Sequence, residues 1–249
     1  MIASDQPTIF PSPFFVATSS IENGVIRHPG LDSDAAGNIV TWCSKLGVPL
    51  EQTVGLYVTY ADTRSYTEII DVSAPADAGG ASTEKGWIKA DALITNTPDI
   101  ALLLPVADCN AVVYADPVNN VVALLHLGWH STVHNLATKA VQYMIEHYGS
   151  SPADILIYNS PSIRARSYRF THLSVTANTR WHQSPYAVKQ LDGTYAIDLV
   201  QYNYDQWIEA GIAPEHIELI PIDTATSDNY PSHFAGQKSR FAVLAKIAK

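Results

Sequence analysis

Residues 100–129 read IALLLPVADCNAVVYADPVNNVVALLHLGW and contain three short apolar runs. The runs are Ile100–Val106, Ala111–Tyr114 and Val121–Leu125, and an Asp-Pro-Val-Asn-Asn turn separates the last two. Runs without polar alternation are typical of strands that are buried on both faces. The stretch therefore predicts three short strands in the interior of the protein.

Further elements are predicted on both sides of this stretch. In three segments apolar residues recur at helical spacing, and a glycine follows each segment. These patterns predict helices over Asp32–Leu46, Ser131–His147 and Asp198–Ala210. The other predicted strands are Phe14–Thr18, Val54–Tyr60, Tyr66–Val72, Ile155–Tyr158 and Ile217–Ile220. The tail Arg240–Ile247 is either a last strand or a short helix, and the small and polar residues of Ser73–Gly86 predict a mobile surface loop. Since strands and helices do not alternate regularly, the fold class is α+β with stacked sheets.

Composition and charge exclude several classes of protein. The chain has 249 residues, 47% hydrophobic and 16% charged, which excludes intrinsic disorder, and no apolar run is long enough to cross a membrane. A net charge of −9 without a Lys/Arg cluster argues against nucleic acid and anionic membranes as partners. Two cysteines and no signal peptide indicate a soluble protein of the reducing cytoplasm, and Cys43 falls on the buried stripe of the first helix.

Cys109 and His126 are the residues that point to chemistry, because each lies at the end of a predicted buried strand. A thiol and an imidazole held there can pair as nucleophile and base, or both can bind zinc or copper. Gly128 and Trp129 beside His126 fit a pocket wall. Phosphate-binding glycine loops, serine-hydrolase elbows and the common zinc motifs are absent from the sequence.

These motifs resemble the bacterial laccase-domain family, also called polyphenol oxidases or purine nucleoside phosphorylases of the YfiH type. The likeness is carried by Ala90–Pro98 (ADALITNTP), Ala107–Cys109 (ADC), Asp116-Pro117 and His126–Trp129 (HLGW), in the family's order and near its spacing. It continues weakly to the tail Ser239–Phe241. The resemblance implies a single laccase domain over residues 1–249, built as an αββα-like sandwich of mixed sheets with flanking helices.

The resemblance also implies a site and a substrate. The family's site is a metal centre, usually described as zinc, made by one Cys and two His, to which Cys109 and His126 correspond. Copper is the alternative metal. The implied reactions are phosphorolysis or deamination of purine nucleosides and copper-dependent oxidation of phenols. The expected partner is thus a small-molecule nucleoside, with the protein a monomer or homodimer.

The sequence departs from the family at several of these positions. Tyr60 stands where the family has its first histidine, and a phenol is a poorer zinc ligand than imidazole. His130 stands where the family has an arginine. His130 or His134 is a candidate for the replacement ligand, and Arg164 or Arg64 for the lost positive charge. The substrate-binding residues predicted are Asp108, Trp129, Arg164 and Arg64, and the catalytic ones Cys109, His126, Tyr60 and His130.

Three hypotheses follow from these residues. The first is a metal-dependent purine nucleoside enzyme, with phenol oxidation as a variant. The second is a metal-free cysteine hydrolase in which Cys109 attacks, His126 is the base and Asp108 or Asn110 orients the imidazole. The third is a non-catalytic relative whose metal site has degenerated. The sequence does not indicate which residue would bind phosphate in the first of these.

Overall fold

The computed structural model describes residues 2–60, 66–75, 79–173 and 185–249, and within these ranges the chain forms fourteen β-strands and four α-helices. The helices are α1 (Ala35–Leu46), α2 (Trp129–Val133), α3 (Leu136–Tyr148) and α4 (Leu199–Glu209). The strands are β1 (Phe14–Thr18), β2 (Thr53–Tyr57), β3 (Ile69–Asp71), β4 (Trp87–Lys89), β5 (Ala92–Thr95), β6 (Ala101–Val106), β7 (Asn110–Asp116), β8 (Val121–Leu127), β9 (Leu156–Asn159), β10 (Arg169–Phe170), β11 (Ala187–Lys189), β12 (Tyr195–Ile197), β13 (Ile217–Leu219) and β14 (Phe241–Ile247).

These strands form two large mixed sheets and one small sheet. The first large sheet has the order β1-β14-β6-β2-β4, and β2 runs parallel to both of its neighbours. The second has the order β13-β9-β7-β8-β5-β3, with antiparallel pairs at its centre and parallel pairs at both edges. The small sheet has the order β10-β12-β11. The predicted α+β class with mixed sheets is confirmed.

The layers are held together by apolar side chains. Between the two large sheets, Leu104 of β6 belongs to the same buried cluster as Val113 of β7 and Leu124 of β8. On the outer side of the first sheet, α1 buries Trp42 in a cluster with strand residues of that sheet. On the outer side of the second sheet, α3 and α4 pack in a buried cluster with residues of that sheet, and Trp207 is the largest side chain of the cluster. The order of layers is therefore helix, sheet, sheet, helix, as the resemblance implied.

The central strands agree with the sequence prediction, and every residue of β7 and β8 is buried. The tail forms β14, which resolves the choice between strand and helix. β2 ends at Tyr57 and β3 covers Ile69–Asp71, so the predicted strands Val54–Tyr60 and Tyr66–Val72 extended too far toward each other. β4, β5, β10, β11 and β12 were not predicted at all.

The predicted helix Ser131–His147 is wrong as a single element. Two helices replace it, since Asn135 takes the left-handed backbone conformation with φ of 62°. Asparagine tolerates this region better than most residues, because its short polar side chain hydrogen-bonds locally. α2 therefore begins at Trp129 and ends before α3 starts in a new direction.

The predicted mobile loop Ser73–Gly86 is also wrong in its second half, while residues 76–78 lie outside the described residues. Gly80 and Ala81 are buried, and the Ala81 amide donates a hydrogen bond to Thr53 Oγ1 at 3.0 Å. The Trp87 indole donates to the Ala81 carbonyl at 2.9 Å. Small residues here serve close packing against β2 and β4. None of the described helices has the length and apolar character that crossing a membrane requires.

Candidate active site

A cavity of about 450 Å³ lies at one end of the sheet sandwich, where β2, β6, β7 and β8 present their last or first residues. His126 brings an imidazole to it because it shares a side of β8 with Leu124, which faces the other large sheet. Five of the residues that the sequence predicted line this cavity together: Tyr60, Cys109, His126, Trp129 and His130. The sandwich thus gathers side chains that are up to 70 positions apart, from 60 to 130.

Because Gly128 has no side chain, the Cys109 thiol and the His126 imidazole have room beside its backbone. A Cβ atom at this position would lie 3.0 Å from Cys109 Sγ and 2.9 Å from His126 Cε1. The Ser131 hydroxyl fixes the turn, since it accepts a hydrogen bond from the Gly128 amide and donates one to the His126 carbonyl. Both reactive groups therefore point at one spot above the Gly128 backbone.

The Cys109 thiol is held in its neutral form. Burial raises its pKa to about 12, with a further contribution from the negative charge of Asp108, while Arg240 acts in the opposite direction. A thiol of this pKa is almost fully protonated at neutral pH, and the thiolate is the nucleophilic form. This environment argues against Cys109 as the attacking group of a cysteine hydrolase.

Asp108 is turned into the protein rather than toward the cavity. Its backbone is left-handed, with φ of 81°, and its side chain is buried. One carboxylate oxygen accepts a hydrogen bond from the Thr224 hydroxyl at 2.6 Å, and the other accepts from the Phe234 amide at 2.7 Å. Asp108 is not among the residues that line the cavity, so the structure does not bring it together there with Trp129, another of the four predicted substrate-binding residues.

A group of rings forms the cavity's mouth. Tyr66 stacks on His130 with ring centroids 4.4 Å apart, and Tyr60 lies 5.9 Å from His130 and 6.4 Å from His126. Tyr60 is 62% exposed, and so its phenol reaches the entrance rather than the floor. Burial and the neighbouring His134 lower the pKa of His130, which keeps this imidazole neutral near pH 7.

Two guanidinium groups lie side by side in the wall of the cavity. Arg27 and Arg240 both line the cavity, and both donate an Nη1 hydrogen bond to the Lys238 carbonyl, at 3.4 and 3.3 Å. Among the described residues neither forms an ion pair with a carboxylate, and Arg27 Nε is buried without a hydrogen-bond partner. Burial lowers the pKa of Arg240, as does the charge of Arg27. An unpaired, partly buried positive pair of this kind is suited to an anion.

The sequence analysis missed four basic residues of the cavity, namely Arg27, His28, His233 and Arg240. Arg240 alone carried a signal, since it lies in the tail Ser239–Phe241 that resembles the family weakly. Arg27 and His28 belong to no motif and lie about 80 positions before Cys109 in the sequence. Only the stacking of the β-sheets brings them near Cys109.

Of the two arginines that the sequence predicted for the site, Arg164 lies elsewhere and Arg64 cannot be placed. Arg164 lines a different depression, and its guanidinium donates hydrogen bonds to the carbonyls of Ile220 and Ile222. Arg64 lies outside the described residues.

The metal centre implied by the resemblance does not fit the described residues. Cys109 and His126 converge, but within residues 2–60, 66–75, 79–173 and 185–249 no group of three His, Cys, Asp or Glu side chains is placed to hold a metal ion. Catalytic zinc sites use three protein ligands as a rule. His134 is not among the residues that line the cavity with Cys109 and His126, so it does not supply a third donor there.

Comparison with known proteins identifies the family. The family described as multi-copper polyphenol oxidoreductase laccase matches residues 32–247 of this chain. The chain belongs to this family. The fold is similar to that of YlmD from Geobacillus stearothermophilus, with a TM-score of 0.81 over 100% of this chain and 98% of that one, at 22% identity.

Two curated relatives of this laccase-domain protein carry the same name. Purine nucleoside phosphorylase YlmD of Bacillus subtilis (strain 168) is 28% identical over 184 residues, which are 70% of this chain and 63% of the relative. Purine nucleoside phosphorylase LACC1 of Homo sapiens is 30% identical over 129 residues, 51% of this chain and 30% of the relative. The matched region is thus less than two thirds of either relative's length.

Proposed function

We propose that this laccase-domain protein cleaves purine nucleosides by phosphorolysis in the cavity described above. The observation that carries the proposal is the pair of guanidinium groups, Arg27 and Arg240, that face the cavity without a carboxylate partner among the described residues. The names of the relatives support the nucleoside as the other substrate. A volume of about 450 Å³ lies within the range of ordinary ligand pockets.

The positive pair gives inorganic phosphate a place. Phosphate offers several oxygens to guanidinium groups, and charge-assisted hydrogen bonds of this type are about twice as strong as neutral ones. Arg240 lines the same cavity as Cys109 and Tyr60, and the charges of both groups affect its pKa. A phosphate on Arg240 therefore lies next to whatever occupies the Cys109–His126 end.

The other end suits a purine. Tyr60, Trp129, Tyr168 and His130 are among the aromatic residues that line the cavity. Aromatic rings prefer offset-stacked or edge-to-face neighbours, and a purine base offers two flat faces for such contacts. With the base at this end and phosphate on the arginines, the ribose lies between them. Phosphate and base then stand on opposite sides of the ribose carbon C1′.

The proposed reaction balances as a single displacement at C1′. An oxygen of phosphate forms a bond to C1′, the bond from C1′ to N9 breaks, and its electron pair leaves with the base. The products are ribose 1-phosphate and the free purine, which takes up the proton that the attacking phosphate gives up. We assign His126 and His130 to the hydrogen bonds that stabilise the leaving base. No step is assigned to a metal, because the described residues do not form the three-ligand centre.

The test is a product analysis with the purified protein, inosine or adenosine, and inorganic phosphate. The proposal expects free base and equal amounts of ribose 1-phosphate, with base release that stops when phosphate is omitted. Base release without phosphate would indicate a hydrolase, and conversion of adenosine to inosine would indicate a deaminase. Nucleoside binding without any product would support the non-catalytic hypothesis. Each of these three results overturns phosphorolysis.

A further inference from the structure

A short turn next to the cavity links a buried carboxylate to the arginine pair. The turn covers residues 232–237 and closes on itself: the Ser232 amide donates to the Gln237 side chain at 2.6 Å, and the Gln237 amide donates to the Ser232 carbonyl at 3.0 Å. The Ala235 amide adds a bond to Ser232 Oγ at 3.1 Å. These hydrogen bonds hold residues 232–237 together, so a displacement of the turn would move all of them.

Asp108 fastens this unit to the protein. Its Oδ2 atom accepts the hydrogen bond from the Phe234 amide, in the middle of the turn, at 2.7 Å. Its Oδ1 atom accepts from Thr224, and its own carbonyl accepts from the Ile163 amide at 2.9 Å. Asp108 is only 5% exposed, and it holds a left-handed backbone that residues other than glycine seldom adopt. Such strain persists where the surroundings require the residue.

The end of the turn holds the arginines. Lys238 follows it directly, and the Lys238 carbonyl is the atom to which both Arg27 and Arg240 donate. His233, on the same turn, lines the cavity. A shift of the turn would therefore change the separation and the direction of both guanidinium groups.

We infer that Asp108 is a positioning residue, which sets the geometry of the phosphate site through the 232–237 turn without touching a substrate. The inference rests on the proposed function for the identity of the ligand, inorganic phosphate. It gives the Asp108 carboxylate a different task from substrate binding. Phosphate affinity should depend on Asp108, and nucleoside affinity should not.

The experiment compares the full-length wild type with Asp108→Asn and with Thr224→Val. Asparagine tolerates a left-handed backbone, and its amide cannot accept from both Thr224 and Phe234 as the carboxylate does. Thr224→Val removes only the bond to Oδ1 and is nearly isosteric, so it controls for a general loss of packing. Hydrogen exchange over residues 232–238 and calorimetric binding of inorganic phosphate are measured for all three proteins.

We expect faster exchange over 232–238 and about tenfold weaker phosphate binding in Asp108→Asn, because a hydrogen bond to a charged group has been lost. Thr224→Val should change neither. Unchanged exchange in Asp108→Asn, or faster exchange with unchanged phosphate affinity, would overturn the inference and leave the proposed function standing. A wild type that binds no phosphate would overturn the proposed function, and with it the ligand named here.

Discussion

At the scale of single residues, the site depends on one glycine. Gly128 has an ordinary negative φ of −95°, so its backbone does not require a glycine. What requires it is the space between Cys109 Sγ and the His126 ring, both about 3 Å from where a Cβ would stand. A methyl group there would push the thiol and the imidazole apart.

Gly128→Ala should therefore reduce kcat/KM for phosphorolysis at least about tenfold, which is a loss of about 1.4 kcal/mol in transition-state stabilisation. Steady-state kinetics and a circular dichroism spectrum would separate this effect from unfolding. Gly37→Ala is the matched control, because a Cβ at Gly37 in α1 meets nothing within 4 Å. That control should retain full activity, and equal losses in both variants would contradict the account.

The second prediction concerns the neutral Cys109 thiol. In chelator-treated Cys43→Ala protein, iodoacetamide should alkylate Cys109 slowly at pH 7, since a thiol with a pKa of about 12 is protonated there. The rate should rise about tenfold per pH unit as the thiolate fraction grows. The measurement is alkylation followed by mass spectrometry from pH 6 to 10. Rapid, pH-independent alkylation at pH 6 would instead support the cysteine hydrolase.

Tyr60 gives a third prediction, on metal binding. Tyr60→His would add a nitrogen donor beside His126, whose ring centroid is 6.4 Å from that of Tyr60. After dialysis against a weak chelator, this variant should retain about one zinc per chain, and the wild type much less. Tyr57→His, which adds an imidazole to the cavity beside His28, is the control. Zinc retained at full occupancy by the wild type would contradict the two-donor description.

At the scale of elements, the break between α2 and α3 shapes the cavity wall. α2 carries Trp129 and His130 into the cavity, while α3 packs on the second sheet as a separate helix. The direction changes at Asn135, which is left-handed. A helix that continued unbroken from Ser131 would follow a different path away from the end of β8.

Asn135 can be tested by stability. Asn135→Ala should lower the free energy of unfolding by about 1 kcal/mol, because alanine is strained at positive φ. Asn135→Gly should be nearly neutral, since glycine adopts this conformation readily. Urea denaturation of the two variants measures the difference. A glycine variant that is less stable than the alanine variant would show that the Asn135 side chain, and not its backbone, is what matters.

Elements with a strong local pattern could be predicted from the sequence, and elements that depend on distant partners could not. β7 and β8 are continuous apolar runs, and α1 and α4 have clear apolar stripes that end near Gly47 and Gly211. β4, in contrast, has three residues and is a strand only because β2 lies beside it. The break at Asn135 was hidden because the apolar spacing continues across it.

At the scale of the whole molecule, the stacking of two sheets builds the site. Cys109, His126, Trp129 and His130 could be predicted because they lie together in the sequence, at the ends of central strands. Arg27 and Arg240 could not, since they meet only when β14 and the segment before α1 come together: the Ile26 amide donates to the Arg240 carbonyl at 3.1 Å. The proposed phosphate site is therefore a product of the tertiary fold, and the sequence alone offered no residue for it.

The measurement that tests phosphorolysis at this site most directly is the KM for inorganic phosphate in the wild type, Arg240→Gln and Arg166→Gln. Arg166 is the control, because its side chain is 67% exposed and pairs with Asp223 outside the cavity. We predict a phosphate KM at least about tenfold higher in Arg240→Gln, from the loss of a charge-assisted contact, with the nucleoside KM little changed. Arg166→Gln should match the wild type. A phosphate KM that is unchanged in Arg240→Gln, or base release that does not depend on phosphate, would contradict the account.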